Sequence, residues 1–225
     1  RHQIAPEAIL STREGKLTEQ RRKTEMREPF KTYVDRVIGN DMVIIACGLP
    51  ATNKTETLEV IARSKGYTML RTDIIRKEVL KGEDIFDEKV AADMDKRKRV
   101  YETMFAMAED LAAKGRGVIL DATFLTQSLR KRAAEVAARN GKVFVIQQTL
   151  CPEDYSLKKI SRRTRERYES NALTEQAYRN NKNRFEAVDL TALQEAFPGL
   201  KIIHLVIDTG SDSEDQWFVI SETVC

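Results

Sequence analysis

Short unbroken apolar runs alternate along most of the chain with longer stretches in which apolar residues recur every three or four positions. Residues 42–47 are six consecutive apolar side chains closed by Gly48, the pattern of a strand covered on both faces. Residues 67–70, 118–120, 143–146 and 202–207 look similar, and between them 55–65, 74–81, 88–114, 126–140, 152–169 and 174–188 carry helical periodicity. Strands alternating with helices of this length pair in parallel through right-handed crossovers. The spacing therefore predicts a doubly wound α/β sheet. Residues 1–40 break the pattern: they are polar and helix-permissive, with an amphipathic stretch from Met26 to Ile38 that ends in the turn signature Gly39-Asn40-Asp41. They read as an N-terminal helical extension or interdomain linker ahead of a domain spanning 41–225.

Composition narrows this picture. At roughly 150 residues per domain, 225 residues hold one domain and an extension. With 41% apolar and 32% charged residues, and only 15 Gly plus Pro, a core is feasible and low-complexity structure is excluded. No window approaches about 18 uncharged apolar residues, and the N-terminus has no apolar core followed by a small-residue cleavage site. Neither a membrane span nor a secretory signal is expected, and the default address is cytoplasmic. Three cysteines without a C-x-x-C pair, and two histidines, make disulfides and structural zinc equally unexpected. The first residue is Arg, which fits a piece of a longer protein.

Charge also bears on partners. Of the 38 cations and 35 anions, residues 1–40 hold nine and six, leaving 29 of each in the rest. A balanced surface does not supply the concentrated basic field of a general nucleic-acid grip, so any such contact must be local. The run Arg21-Arg22-Lys23 suits a solvated helix face, with nucleic-acid contact as the other reading.

Four segments carry chemistry. Gly48-Leu49-Pro50-Ala51-Thr52-Asn53-Lys54-Thr55 follows the first buried run and precedes a helical pattern, matching G-x-x-x-x-G-K-[ST] except that Asn53 replaces the second glycine. In such a loop, backbone N–H groups and a helix N-terminus face phosphate oxygens, a lysine reaches the outer phosphates and a hydroxyl ligates Mg²⁺. Asn is the side chain next most tolerant of left-handed geometry. Ala51 occupies another position where glycine would ease the turn. A chance strand–turn–helix is the alternative. Next, Asp73 follows the second strand, where the carboxyl ends of parallel strands share one edge; it can accept a hydroxyl proton or simply cap a helix. Arg76, three residues on, can orient a phosphate or anionic acceptor.

The third segment, residues 117–123, is an apolar strand ending in Asp121, placed to hold Mg²⁺ or to cap the next helix; Arg130 on that helix faces either the crevice or solvent. The fourth, residues 158–167, has six cations and one anion. It suits a lid that sets an Arg against a transferring phosphoryl group, a solvated basic helix, or a nucleic-acid backbone contact. His204, in an apolar run, reads as a core residue, and Tyr101, Met104, Phe105 and Met107 as a core-facing helix stripe.

Taken together, GLPATNKT, TDIIRKEVL, VYETMFAMAEDLAAKGRGVILDATFL with Arg130, and the RR-x-R run leading to Ser170, Asn171 and Ala172 make residues 42–208 resemble the P-loop kinase-like ATPase family that includes zeta toxins and relatives of polynucleotide 5′-kinases. The resemblance implies a three-layer P-loop NTPase fold with a five-stranded parallel sheet, adenylate-kinase-like, plus a helical lid. It further implies ATP with Mg²⁺ and phosphoryl transfer to a hydroxyl of a small molecule or an oligonucleotide 5′ end. On matching positions, Lys54 and the loop amides of residues 48–55 hold phosphates, Thr55 and Asp121 hold the metal, and Asp73 is the base. Asp73, Arg76, Asp121 and Arg130 face the acceptor, and Arg163, with Arg162 behind it, is the lid arginine. In this family such domains also occur fused behind another domain. Ala51 and Asn53 depart from the pattern, so the alternative is a nucleotide-binding module with a degenerate loop and no transfer activity.

Overall fold

The structure, a computed structural model, describes residues 21–85, 87, 89, 90, 93–163 and 173–225. Seven strands form one sheet: β1 (Arg22–Pro29), β2 (Val43–Cys47), β3 (Thr68–Arg71), β4 (Val118–Asp121), β5 (Phe144–Leu150), β6 (Ile202–Asp208) and β7 (Phe218–Val224). Their order across the sheet is β1-β7-β6-β5-β2-β4-β3. The five strands from β6 to β3 are mutually parallel, and they are the five apolar runs of the sequence. The expected five-stranded sheet is therefore corrected to seven, because β7 adds antiparallel to β6 and β1 antiparallel to β7.

Side chains along β2 show why this is a three-layer molecule. Val43, Ile45 and Cys47 enter one apolar cluster, whereas Ile44 enters the other with Ala46, all fully buried. A two-residue period with both faces apolar requires helices on both sides. One side is covered by α1 (Phe30–Val37) and α2 (Lys54–Lys65), through Phe30, Tyr33, Leu58 and Ile61. The other is covered by α3 (Thr72–Val79), α4 (Met94–Ala113), α5 (Gln127–Arg139) and α8 (Leu190–Ala196). Two more helices, α6 (Glu153–Ser161) and α7 (Glu175–Arg184), lie beside the carboxyl edge of the sheet. Among the described residues, no helix is long and apolar enough to cross a membrane.

Residues 22–29 are a strand where a helix was expected. Their burial alternates, with Thr24, Met26 and Glu28 half-buried and Lys23, Glu25 and Arg27 outward. Pairing with β7 outweighs weak helix propensity, and the helix begins only after Pro29. Outward charges on this edge discourage further strand addition. The helix expected over 174–188 ends early. The chain leaves helical geometry at Phe185, and α8 restarts with Asp189 as its cap, accepting from the Ala192 N–H at 2.9 Å.

Candidate functional site

Because β2, β3 and β4 run parallel, their carboxyl ends deliver residues 48–55, Asp73 and Asp121 to one edge. The loop leaves β2 at Gly48, whose φ is +145°. A Cβ there would lie 2.8 Å from Thr149 Oγ1 and 2.9 Å from the Thr149 carbonyl, so only glycine allows this approach to β5. Ala51 and Asn53 both adopt left-handed geometry, with φ of 59° and 58°. The two turns bring the chain into α2, and the N–H groups of Lys54, Thr55 and Glu56 fall in its first turn, where a helix offers no intrahelical acceptor. These donors form an anion cradle.

Both departures from glycine have structural employment. The Ala51 methyl is buried with Ile160 of α6 and Tyr178 of α7, flanked by Leu49 and Leu157, so it joins the loop to the helices beside the edge. Asn53 is 3% exposed, and its amide is turned into the β6–β7 connection. Asn53 Nδ2 donates to the Thr209 carbonyl at 2.8 Å and to the Ser211 carbonyl at 3.3 Å, while Oδ1 accepts from Lys159 Nζ. Three threonines complete the scaffold: Thr52 Oγ1 is 2.7 Å from Thr149 Oγ1, and Thr209 Oγ1 donates to the Thr52 carbonyl at 2.9 Å.

Lys54 is enclosed by the loop and donates to the Leu49 carbonyl. Burial pushes its ammonium down to about 8, and the Arg163 cation nearby adds to this, against the pull of Asp121. Thr55 Oγ1 donates to Asp121 Oδ2 at 2.8 Å, and Arg71 Nε stands 3.5 Å from the same oxygen. Burial nonetheless pushes the Asp121 carboxyl up to about 6, with Thr55 and Arg71 opposing and Asp73 reinforcing the rise. A hydroxyl and a carboxylate in contact are the oxygen donors that Mg²⁺ takes alongside phosphate and water, so the residues fit that ion. Among the described residues, no cluster of three or more His, Cys, Asp or Glu side chains offers an all-protein metal cage.

Asp73 lies in the first turn of α3, and the N-cap position falls to Arg71. Arg76 Nη1 pairs with Asp73 Oδ1 at 2.9 Å. Arg162 closes α6 and is exposed, whereas Arg163 is partly buried and within electrostatic reach of Lys54. The remainder of the expected lid, including Arg165, Arg167, Ser170, Asn171 and Ala172, lies outside the described residues. Arg130 departs from both of its sequence readings. It is fully buried, and its donors go to the carbonyls of Phe124, Leu125, Glu186 and Ala187 and to Gln127 Oε1, at 2.7 to 3.2 Å. It staples α5 to the segment after α7, with no donor left over for an acceptor. Sequence reasoning passed over Arg71, Thr209 and, as a loop partner, Lys159; only the position of Arg71 just before TDIIRKEVL hinted at a role.

Comparison with known proteins agrees with this geometry. A family profile described as an AAA domain matches residues 43–188, and no curated protein sequence is matched by the chain. Among solved structures, a gluconokinase from Sinorhizobium meliloti 1021 is similar at 17% identity, 77% of this chain, 85% of that one and a TM-score of 0.51. A sugar kinase from Janibacter sp. HTCC2649 is similar at 13% identity, 73% and 84% coverage and a TM-score of 0.52. A proposed kinase from Chloroflexus aurantiacus j-10-fl reaches 17% identity, 76% and 89% coverage and a TM-score of 0.54. At such identities the likeness establishes a P-loop kinase-like fold, and the profile match shows that the chain belongs to the AAA-domain family.

Proposed function

We propose that this chain is an ATP-dependent phosphotransferase that moves the γ-phosphoryl group of Mg-ATP to a hydroxyl of a small molecule or an oligonucleotide 5′ end. The observation that carries the reading is the Thr55–Asp121 contact at 2.8 Å beside Lys54 and the helix N-terminus, with Asp73 on the same edge. Mg²⁺, when bound with ATP, would neutralise phosphate charge, and Thr55 and Asp121 are the residues that would hold it. The loop amides and Lys54 hold the phosphate oxygens. Arg163 lies near enough to Lys54 to counter charge that develops on the transferring group.

In the transfer, the bond between the γ-phosphorus and the oxygen bridging to ADP breaks, a bond to the acceptor oxygen forms, and the hydroxyl proton passes to the Asp73 carboxylate. Arg76 keeps that carboxylate oriented. The side chains of Ala51 and Asn53 are occupied elsewhere, which supports a working cradle over a degenerate one. A cytoplasmic setting and a preceding fused domain belong to the same reading; any linker to that domain ends before Arg22, where β1 joins the sheet.

The test is ATP consumption with a panel of hydroxyl acceptors. The native protein turns over at least one of them, while Asp73→Asn and Lys54→Ala each lower turnover by 10² or more with the fold retained. Absence of turnover across the panel would defeat the proposal.

A further inference from the structure

β3 and β4 end side by side, with Arg71 opposite Asp121 in their parallel register. Thr72 Oγ1 donates to the Asp121 carbonyl at 3.2 Å, which ties the start of α3 to the end of β4. The pairing sets Arg71 Nε 3.5 Å from Asp121 Oδ2, the oxygen that also accepts from Thr55 Oγ1 at 2.8 Å. One carboxylate oxygen therefore serves both the hydroxyl of the phosphate loop and a guanidinium delivered by the neighbouring strand. The transfer chemistry makes no use of Arg71.

The two Asp–Arg pairs at this edge differ in kind. Arg76 Nη1 reaches Asp73 Oδ1 at 2.9 Å, a hydrogen-bonded ion pair. Arg71 Nε is buried and has no hydrogen-bond partner, so it is held to Asp121 by charge alone. A buried N–H without an acceptor is unfavourable. The position is tolerated because the Asp121 side chain is only 8% exposed, and a cation beside it offsets part of its desolvation. Such a contact is exchangeable. A divalent cation prefers the same carboxylate oxygen, with the Thr55 hydroxyl beside it as a further oxygen donor. Lys54 also acts on Asp121. A divalent cation arriving alone thus meets two like charges, whereas one arriving with ATP brings phosphate charge that offsets them.

We propose that Arg71 is the exchangeable countercation of Asp121: it holds the metal-side carboxylate beside Thr55 and yields that oxygen only to a divalent cation that arrives with nucleotide. Arg71 is thus a positioning residue that acts through Asp121. The inference rests on the phosphotransferase reading for the identity of the metal and the nucleotide, and it adds the order of their uptake.

The test is metal binding without nucleotide. Mn²⁺ stands in for Mg²⁺, its free concentration is read by electron paramagnetic resonance, and the protein is held at pH 8 so that Asp121 is deprotonated. The native protein is expected to bind Mn²⁺ at this site with a Kd above a millimolar. Arg71→Gln should bind one Mn²⁺ per chain about tenfold tighter or more, and Arg71→Leu serves if that variant does not fold. Arg71→Lys, which keeps the charge, should stay within threefold of the native protein. Adding Asp121→Asn to Arg71→Gln should abolish the gained site, and AMPPNP should narrow the gap between the native protein and Arg71→Gln to threefold or less. A merely structural arginine would change stability and leave Mn²⁺ affinity alone. Equal or weaker Mn²⁺ binding by the neutral variants, an equal gain in Arg71→Lys, or survival of the gained site in the double variant would overturn the inference. The first titration contains no nucleotide, so its result stands whether or not ATP is turned over; absence of turnover beside the expected Mn²⁺ result defeats the phosphotransferase reading alone.

Discussion

Asn53 donates to the Thr209 carbonyl at 2.8 Å, so the side chain that stands in glycine's seat is anchored in the β6–β7 connection. The contact makes Asn53 a strut between the phosphate loop and the end of β6. Asn53→Gly removes a buried hydrogen-bonding amide and leaves Lys159 without its Oδ1 acceptor, while easing the left-handed backbone. The expected result in denaturant titration is a net loss of about 1 kcal/mol, with ATP affinity changed less than threefold. Tenfold tighter ATP binding by the glycine variant would show that the asparagine obstructs the cradle.

Two charges at the site are held against their solvation. Burial lowers Lys54 to about 8 and raises Asp121 to about 6, so at pH 7 each is charged at the expense of the fold. Asp121→Asn keeps the shape and removes the charge; Lys54→Met does likewise for the ammonium. Each should stabilise the ligand-free protein by about 1–3 kcal/mol. Each should also abolish the gain from Mg-ATP, which in the native protein is about 2.7 kcal/mol at 100 times Kd. Thermal unfolding with and without Mg-ATP reads both effects, and a destabilised empty Asp121→Asn would contradict the account.

The pH dependence has two opposed parts. Asp121 binds its proton near 6 in the fold against 3.8 for the free side chain, so it adds stability as pH falls through that window. Burial lowers His204 to about 4 against an ordinary 6.5, so its contribution is intact above 6.5 and is lost as pH falls toward 4. In the native protein the two largely offset each other. Asp121→Asn removes the first, so the variant should lose up to about 3 kcal/mol more than the native protein between pH 6.5 and 4. Parallel acid-unfolding curves for the two proteins would argue against it.

Arg130 is structural by its contacts. Arg130→Met strips the Glu186 and Ala187 carbonyls of their donor and frees the segment between α7 and α8. A loss of about 3 kcal/mol or more is expected from denaturant midpoints, with the KM for ATP of the folded fraction unchanged. A stable variant with a raised acceptor KM would return Arg130 to the acceptor site.

The parallel core was legible because residues 42–47, 118–120, 143–146 and 202–207 are apolar enough to need cover on both faces, which few other arrangements supply. The phosphate loop was legible because three of its four fixed positions, Gly48, Lys54 and Thr55, sit between such a strand and a helix. What escaped was set by partners distant in sequence. β1 is a strand only because β7 lies beside it, and the β-branched residues Val219, Ile220, Thr223 and Val224 were the faint sign of β7. Nothing local says that Arg130 meets Glu186 or that Asn53 meets Thr209, some 156 residues away.

The central claim is that a loop with alanine and asparagine in left-handed positions still wraps a triphosphate. Calorimetric titration of Mg-AMPPNP into the native protein and into Lys54→Ala tests it most directly. The account predicts one site per chain with a Kd below a millimolar, weakened 100-fold or more by Lys54→Ala; no binding by the native protein at millimolar nucleotide, or equal binding by the variant, would contradict it.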